Sequence, residues 1–96
     1  MLIKQKQEGS KGSFYIEENE RMLAEMTYSM AGTNLMIIDH TEISDELKGK
    51  NVGYQLVQAA VEFARKNQIK ILPLCTFAKS VFDKKGAAFS DVLRSN

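Results

Sequence analysis

The chain contains one cysteine, one histidine and one proline, and its longest apolar run covers only residues 35–38. A single cysteine excludes an internal disulfide, and a single histidine excludes the usual zinc clusters. The apolar run is far shorter than the ~20 residues a membrane helix needs. The opening Met1, Leu2, Ile3 and Lys4 lack the basic-then-apolar layout of a signal peptide. Charge of one sign is equally scarce. Thirteen basic against twelve acidic residues give a net charge of +1, which argues against a nucleic-acid binder with its basic stripe. Neither proline, glycine nor charge runs are enriched enough to signal disorder. These absences leave an ordered protein without metal or membrane, expected in a reducing, cytoplasmic setting.

With 44% hydrophobic residues, a 96-residue chain has enough apolar surface for one core, so residues 1–96 are expected to form a single domain. Residues 2–7 and 14–18 are strand candidates separated by a turn over residues 8–12, which holds Gly9, Ser10 and Gly12. In residues 21–30, Met22, Ala24, Met26, Tyr28 and Met30 alternate with Leu23, Glu25, Thr27 and Ser29. Period two predicts a strand with one apolar face and the methionines as core filler. A second turn at residues 31–34 leads into residues 35–43, a β-branched stretch apolar on both faces at first, expected to be the central strand.

From Val52 to Lys66 the period becomes helical: Val52, Leu56, Ala59, Ala60, Phe63 and Ala64 share one side, with Gln55, Gln58, Glu62, Arg65 and Lys66 opposite. Residues 70–75 read as a short buried strand whose Pro73 marks an edge, a bulge or a break in pairing. Strand, helix and strand make a right-handed crossover that forces the two strands parallel, with ligands expected at their carboxyl ends. Phe77, Val81 and Phe82 predict a second, shorter helix stopped by Gly86, and Phe89, Val92 and Leu93 a last apolar turn.

The chemistry gathers at those carboxyl ends. Lys48, Gly49, Lys50, Asn51, Val52 and Gly53 form a turn that delivers free backbone N–H groups to a helix start between two lysines, an arrangement suited to pyrophosphate. It matches neither the P-loop nor the dinucleotide fingerprint. His40 and Glu42 stand two apart on a strand. Without a bulge they share a face about 7 Å apart, leaving room for a water or an amine and for general-base work. A solvated charge at Glu42 and a satisfied, partly buried His40 are the alternatives. Cys75 is placed as a nucleophile, a general acid, or simply a small buried hydrophobe.

The turn resembles the acyl-CoA-binding motif of the GNAT superfamily of N-acetyltransferases, Gln/Arg-x-x-Gly-x-Gly/Ala. Lys48 stands for the leading Gln/Arg and keeps its charge. Asn51 stands for the first glycine and enters the left-handed backbone region readily, and Gly53 stands for the last position. The segment from His40 to Ile43 and the group Pro73, Leu74 and Cys75 look like those of small stand-alone GNAT-like proteins. No sequence is available for the helices that usually lie between the first two strands, so the chain looks like a minimal member.

The resemblance implies an α+β, acyl-CoA N-acyltransferase fold. Its mixed sheet has four antiparallel strands and a parallel fifth, with a long helix after the fourth strand and a short C-terminal helix. It also implies an acetyl-CoA-dependent N-acetyltransferase with acetyl-CoA as cosubstrate, no metal, and a small-molecule or protein amine as acceptor. Backbone N–H groups from Gly49 to Tyr54 would hold the pyrophosphate, pantetheine would lie against Glu42 and Ile43, and the thioester would point between the fourth and fifth strands near Cys75 and Phe77. His40, Glu42 and Cys75 are the catalytic candidates. The alternatives are an acyl-CoA-binding module without useful transfer chemistry and a nucleotide or phosphate binder with no CoA selectivity.

Overall fold

A computed structural model describes residues 2–94. Strands β1 (Lys4–Glu8), β2 (Lys11–Glu18), β3 (Arg21–Met30), β4 (Leu35–Ile43) and β5 (Lys70–Pro73) form one sheet in sequence order. The first four pair antiparallel, and β5 runs parallel to β4. The parallel pairing follows from the crossover through α1 (Val52–Asn67), and α2 (Thr76–Lys85) and a 3-10 turn, Gly86–Ala88, come after β5. This is the α+β, GNAT-like architecture expected. The strand expected at the centre, β4, is interior but one place off it, because β3 holds the middle position.

One face of the sheet carries the core. Val52, Leu56, Val57, Ala60, Val61 and Ala64 of α1 are buried against Phe14, Ile16, Met26, Tyr28, Met36 and Ile38. Helix α2 packs beside α1 and against β4 and β5 through Ala78, Val81 and Phe82. The opposite face is polar, as in antiparallel sheets that face water on one side, and carries Lys6, Tyr15, Glu25 and Thr27.

The first turn is tighter than the glycine spacing suggests. Glu8 pairs with Lys11, so only Gly9 and Ser10 make the bend, and Gly12 belongs to β2. Gly12 is required there because the Tyr28 ring lies directly over it: a Cβ would sit 2.5 Å from Tyr28 Cζ. The hydroxyl of that ring accepts from Gln5 Nε2 at 2.9 Å and donates to Gln7 Oε1 at 2.8 Å, tying β1 to β3.

Two bulges correct the alternation read from the sequence. Ile16 pairs with Ala24 and Glu17 with Met22, which leaves Leu23 as the extra residue. Leu23 therefore enters the core, and Met22, expected inside, is exposed. In β4, Tyr28 pairs with Ile38 and Thr27 with His40, so Asp39 is extra; the Thr27 and Ser29 hydroxyls both donate to its carboxylate.

The C-terminal segment covers the free edge of β5. Ile71 donates its N–H to the Val92 carbonyl at 2.6 Å, and Arg94 donates to Ile71 at 2.9 Å. Arg65 grips Asp91 with two nitrogens, at 2.7 and 2.8 Å. The Arg65 hydrogen bond holds the Asp91 carboxyl below the usual carboxylate range. A carboxyl lowered by folding adds stability above its unfolded value near 4, and that contribution disappears as pH falls through the folded value. Melting temperature is expected to decline on acidification below about pH 4, and to decline less steeply in Asp91→Asn. Parallel melting curves of the two proteins would contradict this.

Candidate functional site

The site begins where β4 and β5 separate. Their pairing ends at Ile38 and Pro73, and the N–H groups of Leu74 and Cys75 both donate to the Ile38 carbonyl before the chain turns into α2. Strand β5 thus stops at Pro73, two residues before the expected end, and Cys75 is the N-cap of α2 rather than a strand residue. Strand β4 runs on to Ile43 without that neighbour. Ser44 donates its N–H to Leu23 on the β3 side. By alternation, Ile43 and Thr41 turn their backbone groups toward the gap.

The bulge at Asp39 decides which side chains reach the gap. Directly opposed residues share a face. Thr41 opposes Met26 and Ile43 opposes Ala24, both buried beneath the helices, whereas His40 opposes Thr27 and Glu42 opposes Glu25 on the polar face. The Thr41 hydroxyl lies 3.4 Å from Cys75 Sγ across the opening. On the far side of the sheet His40 and Glu42 share a face, as expected of a stretch without a bulge between them, and their side chains lean together, with His40 Nε2 3.3 Å from Glu42 Oε1, leaving no space for a water between the tips. Both are exposed.

After β4, Ser44 caps a short 3-10 helix, Asp45–Leu47, and the chain then enters α1 through two left-handed residues, Gly49 (φ +80°) and Asn51 (φ +61°). Asn51 is the N-cap of α1, yet its side chain makes no capping hydrogen bond, and the first turn holds no acidic residue. The positive end of the helix therefore has no internal acceptor or anion for its first N–H groups. The turn is less open than the sequence suggests at one point: the Lys50 N–H donates to the Leu47 carbonyl at 3.2 Å. Lys48 reaches back to Asp45 at 2.8 Å, and their hydrogen bond lowers the Asp45 pKa and raises that of Lys48.

This helix start opens onto a cleft of 510 Å³. Asn51, Val52, Gly53 and Tyr54 form one wall, and Ile43 and Leu47 extend it toward β4. The other wall is α2, with Phe77, Ser80, Val81, Lys84 and Lys85, and Lys48 and Gly49 complete the rim. Every charged side chain in the lining is a lysine. Gly53 lets the walls approach, because a Cβ there would fall 2.7 Å from Phe77 Cε2 and 3.1 Å from Ile43 Cδ1.

Of the residues singled out in the sequence, the cleft gathers Ile43, Lys48, Gly49, Asn51, Val52, Gly53, Tyr54 and Phe77. Lys50 and Cys75 do not line it. Glu42 borders a separate depression of 250 Å³ with Met22, Glu25 and Ser44, and Ile43 borders both spaces. Ser80, Lys84 and Lys85 are the residues sequence reading missed. Lysines in the last turn of a helix read as partners of its dipole, so only the packing of α2 beside α1 shows that they face a cleft.

A family model described as GCN5-related N-acetyl-transferase matches residues 13–92. Among solved structures, a GCN5-like protein from Staphylococcus aureus is 41% identical, with a TM-score of 0.70, over 97% of this chain and 89% of its own. The ribosomal-protein-S18-alanine N-acetyltransferase of Escherichia coli shares the fold at 12% identity and a TM-score of 0.66, over 83% of this chain and 54% of its own. AAC(6')-Iy, in complex with the bisubstrate analogue CoA-S-monomethyl-acetylneamine, matches at 12% identity and a TM-score of 0.55, over 91% of this chain and 67% of its own. No curated protein matches the chain.

Proposed function

Since the chain belongs to the GCN5-related N-acetyltransferase family, we propose that it binds acetyl-CoA in the cleft at the start of α1 and transfers the acetyl group to an amine. The observation that carries this reading is the uncapped α1 N-terminus, which faces a space lined by cations and bordered by Ile43 at the end of β4. A diphosphate supplies the acceptor oxygens that the free N–H groups of Gly49 and of residues 51–54 lack. The apolar lining at Ile43 and Phe77 suits the pantetheine arm, whose thioester then reaches the gap between β4 and β5.

In this reading the two substrates approach the gap from opposite sides. The thioester arrives from the helix face and the amine from the polar face, where His40 and Glu42 stand in contact. His40 takes a proton from the acceptor ammonium, with Glu42 holding the imidazole. The freed amine attacks the carbonyl carbon, forming C–N, and C–S breaks as CoA departs. The second amine proton goes to the departing thiolate. Attack is direct, and Cys75 carries no acetyl group.

The test is release of free CoA from acetyl-CoA in the presence of polyamines, lysine peptides or amino sugars. Release above background is expected with at least one class. None with any class would favour a CoA-binding module without transfer. Cys75→Ala is expected to keep the rate within about three-fold, and His40→Gln to lower it about ten-fold, below the usual general-base contribution because the pair is exposed. An acetylated Cys75 in quenched reactions would contradict direct attack.

A further inference from the structure

The cleft carries cations on the α2 wall as well as the free N–H groups at the start of α1. Lys84 and Lys85 lie on the α2 wall, in the last turn of that helix, and both belong to the cleft lining. Lys85 Nζ stands 4.6 Å from the centroid of the Tyr54 ring, a cation–π contact that holds the ammonium at the wall between the helices. The Tyr54 ring is itself fixed by stacking on Phe89, with centroids 6.4 Å apart and planes 8° from parallel. Among the described residues neither lysine has a carboxylate partner, whereas Lys48 pairs with Asp45 and Lys79 with Asp83. Dipole compensation explains two cations at a helix C-terminus, but not their convergence on a space without an acidic group.

A ligand that presents a diphosphate to the α1 N-terminus and a further phosphate to the α2 wall meets this charge pattern. We propose that Lys84 and Lys85 bind the ribose 3'-phosphate of CoA and select 3'-phosphorylated CoA over forms that lack this group. The inference rests on the acetyl-CoA reading above and adds two residues of α2 to it. A helix C-terminus repels an anion, so the phosphate is held there only through the two ammonium groups. The selectivity is accordingly sensitive to salt.

The test is calorimetric titration of CoA and 3'-dephospho-CoA into the wild-type chain, into Lys84→Ala/Lys85→Ala, and into Lys66→Ala as a control for net charge. Lys66 lies on the exposed side of α1, outside the cleft. Wild-type protein is expected to bind CoA about ten-fold more tightly than 3'-dephospho-CoA. The double variant should lose that preference by weakening CoA alone, and Lys66→Ala should retain it. Equal wild-type affinities, or a double variant with the full preference, would overturn the assignment while leaving the cofactor reading in place. Failure of both ligands to bind wild-type protein would remove the cofactor reading and this assignment with it.

Discussion

Gly53→Leu is expected to lower the affinity for acetyl-CoA by about 100-fold or more, to the limit of calorimetric detection. The glycine sits in the first turn of α1 and lines the cleft, and even a Cβ there would intrude on Phe77 Cζ and come within 2.7 Å of Cε2. A leucine would push the Phe77 ring away, fill the space above the free N–H groups and deny phosphate oxygens their approach. Because Phe77 helps to join the two walls, the variant should also lose about 1–3 kcal/mol of stability, the usual cost of overpacking. Adding Phe77→Ala separates the effects: the double variant should recover much of the stability and none of the affinity. Retention of wild-type affinity in Gly53→Leu would place the diphosphate elsewhere.

Gly12→Ala should produce the larger stability loss, about 3 kcal/mol, at the upper end of overpacking costs. The new methyl would stand 2.5 Å from Tyr28 Cζ and Oη and 2.7 Å from the Lys6 carbonyl oxygen. The carbonyl belongs to the paired β1 backbone and cannot swing aside. The ring is buried and held by Gln5 and Gln7 through its hydroxyl, so shifting it breaks two further hydrogen bonds. The urea midpoint reports the loss, and a change under ~0.5 kcal/mol would show that the sheet relaxes more freely than its register implies.

Elements whose period is local were legible from the residues alone. The apolar stripe from Val52 to Ala64 defined α1, which runs to Asn67, one residue beyond the expected Lys66, before Gln68 caps it with φ +59°. Asn51 and Gly53 marked the turn because left-handed backbone and close approach each restrict residue type. What the sequence hid depends on the partner strand. An extra residue leaves no composition signal, so the bulge at Asp39 and the consequent placement of His40 and Glu42 across the sheet from the cleft could not be foreseen. The same holds for Leu23 replacing Met22 in the core. Gly12 read as part of a turn because the need for it lies in Tyr28, sixteen positions away by number and adjacent only through pairing. The α2 wall was half legible: Phe77 stood out as apolar, whereas nothing in the sequence sets Lys84 and Lys85 apart from other lysines at a helix end.

Amide chemical shifts followed during titration with acetyl-CoA test directly whether the free N–H groups at the start of α1 receive its diphosphate. The largest changes are expected at Gly49 and at residues 51–54, followed by Thr41 and Ile43 at the parted strand, with the Lys50 amide less affected because it already donates to Leu47. Changes confined to the polar face of β1, β2 and β3, or none at millimolar ligand, would contradict that placement of the diphosphate.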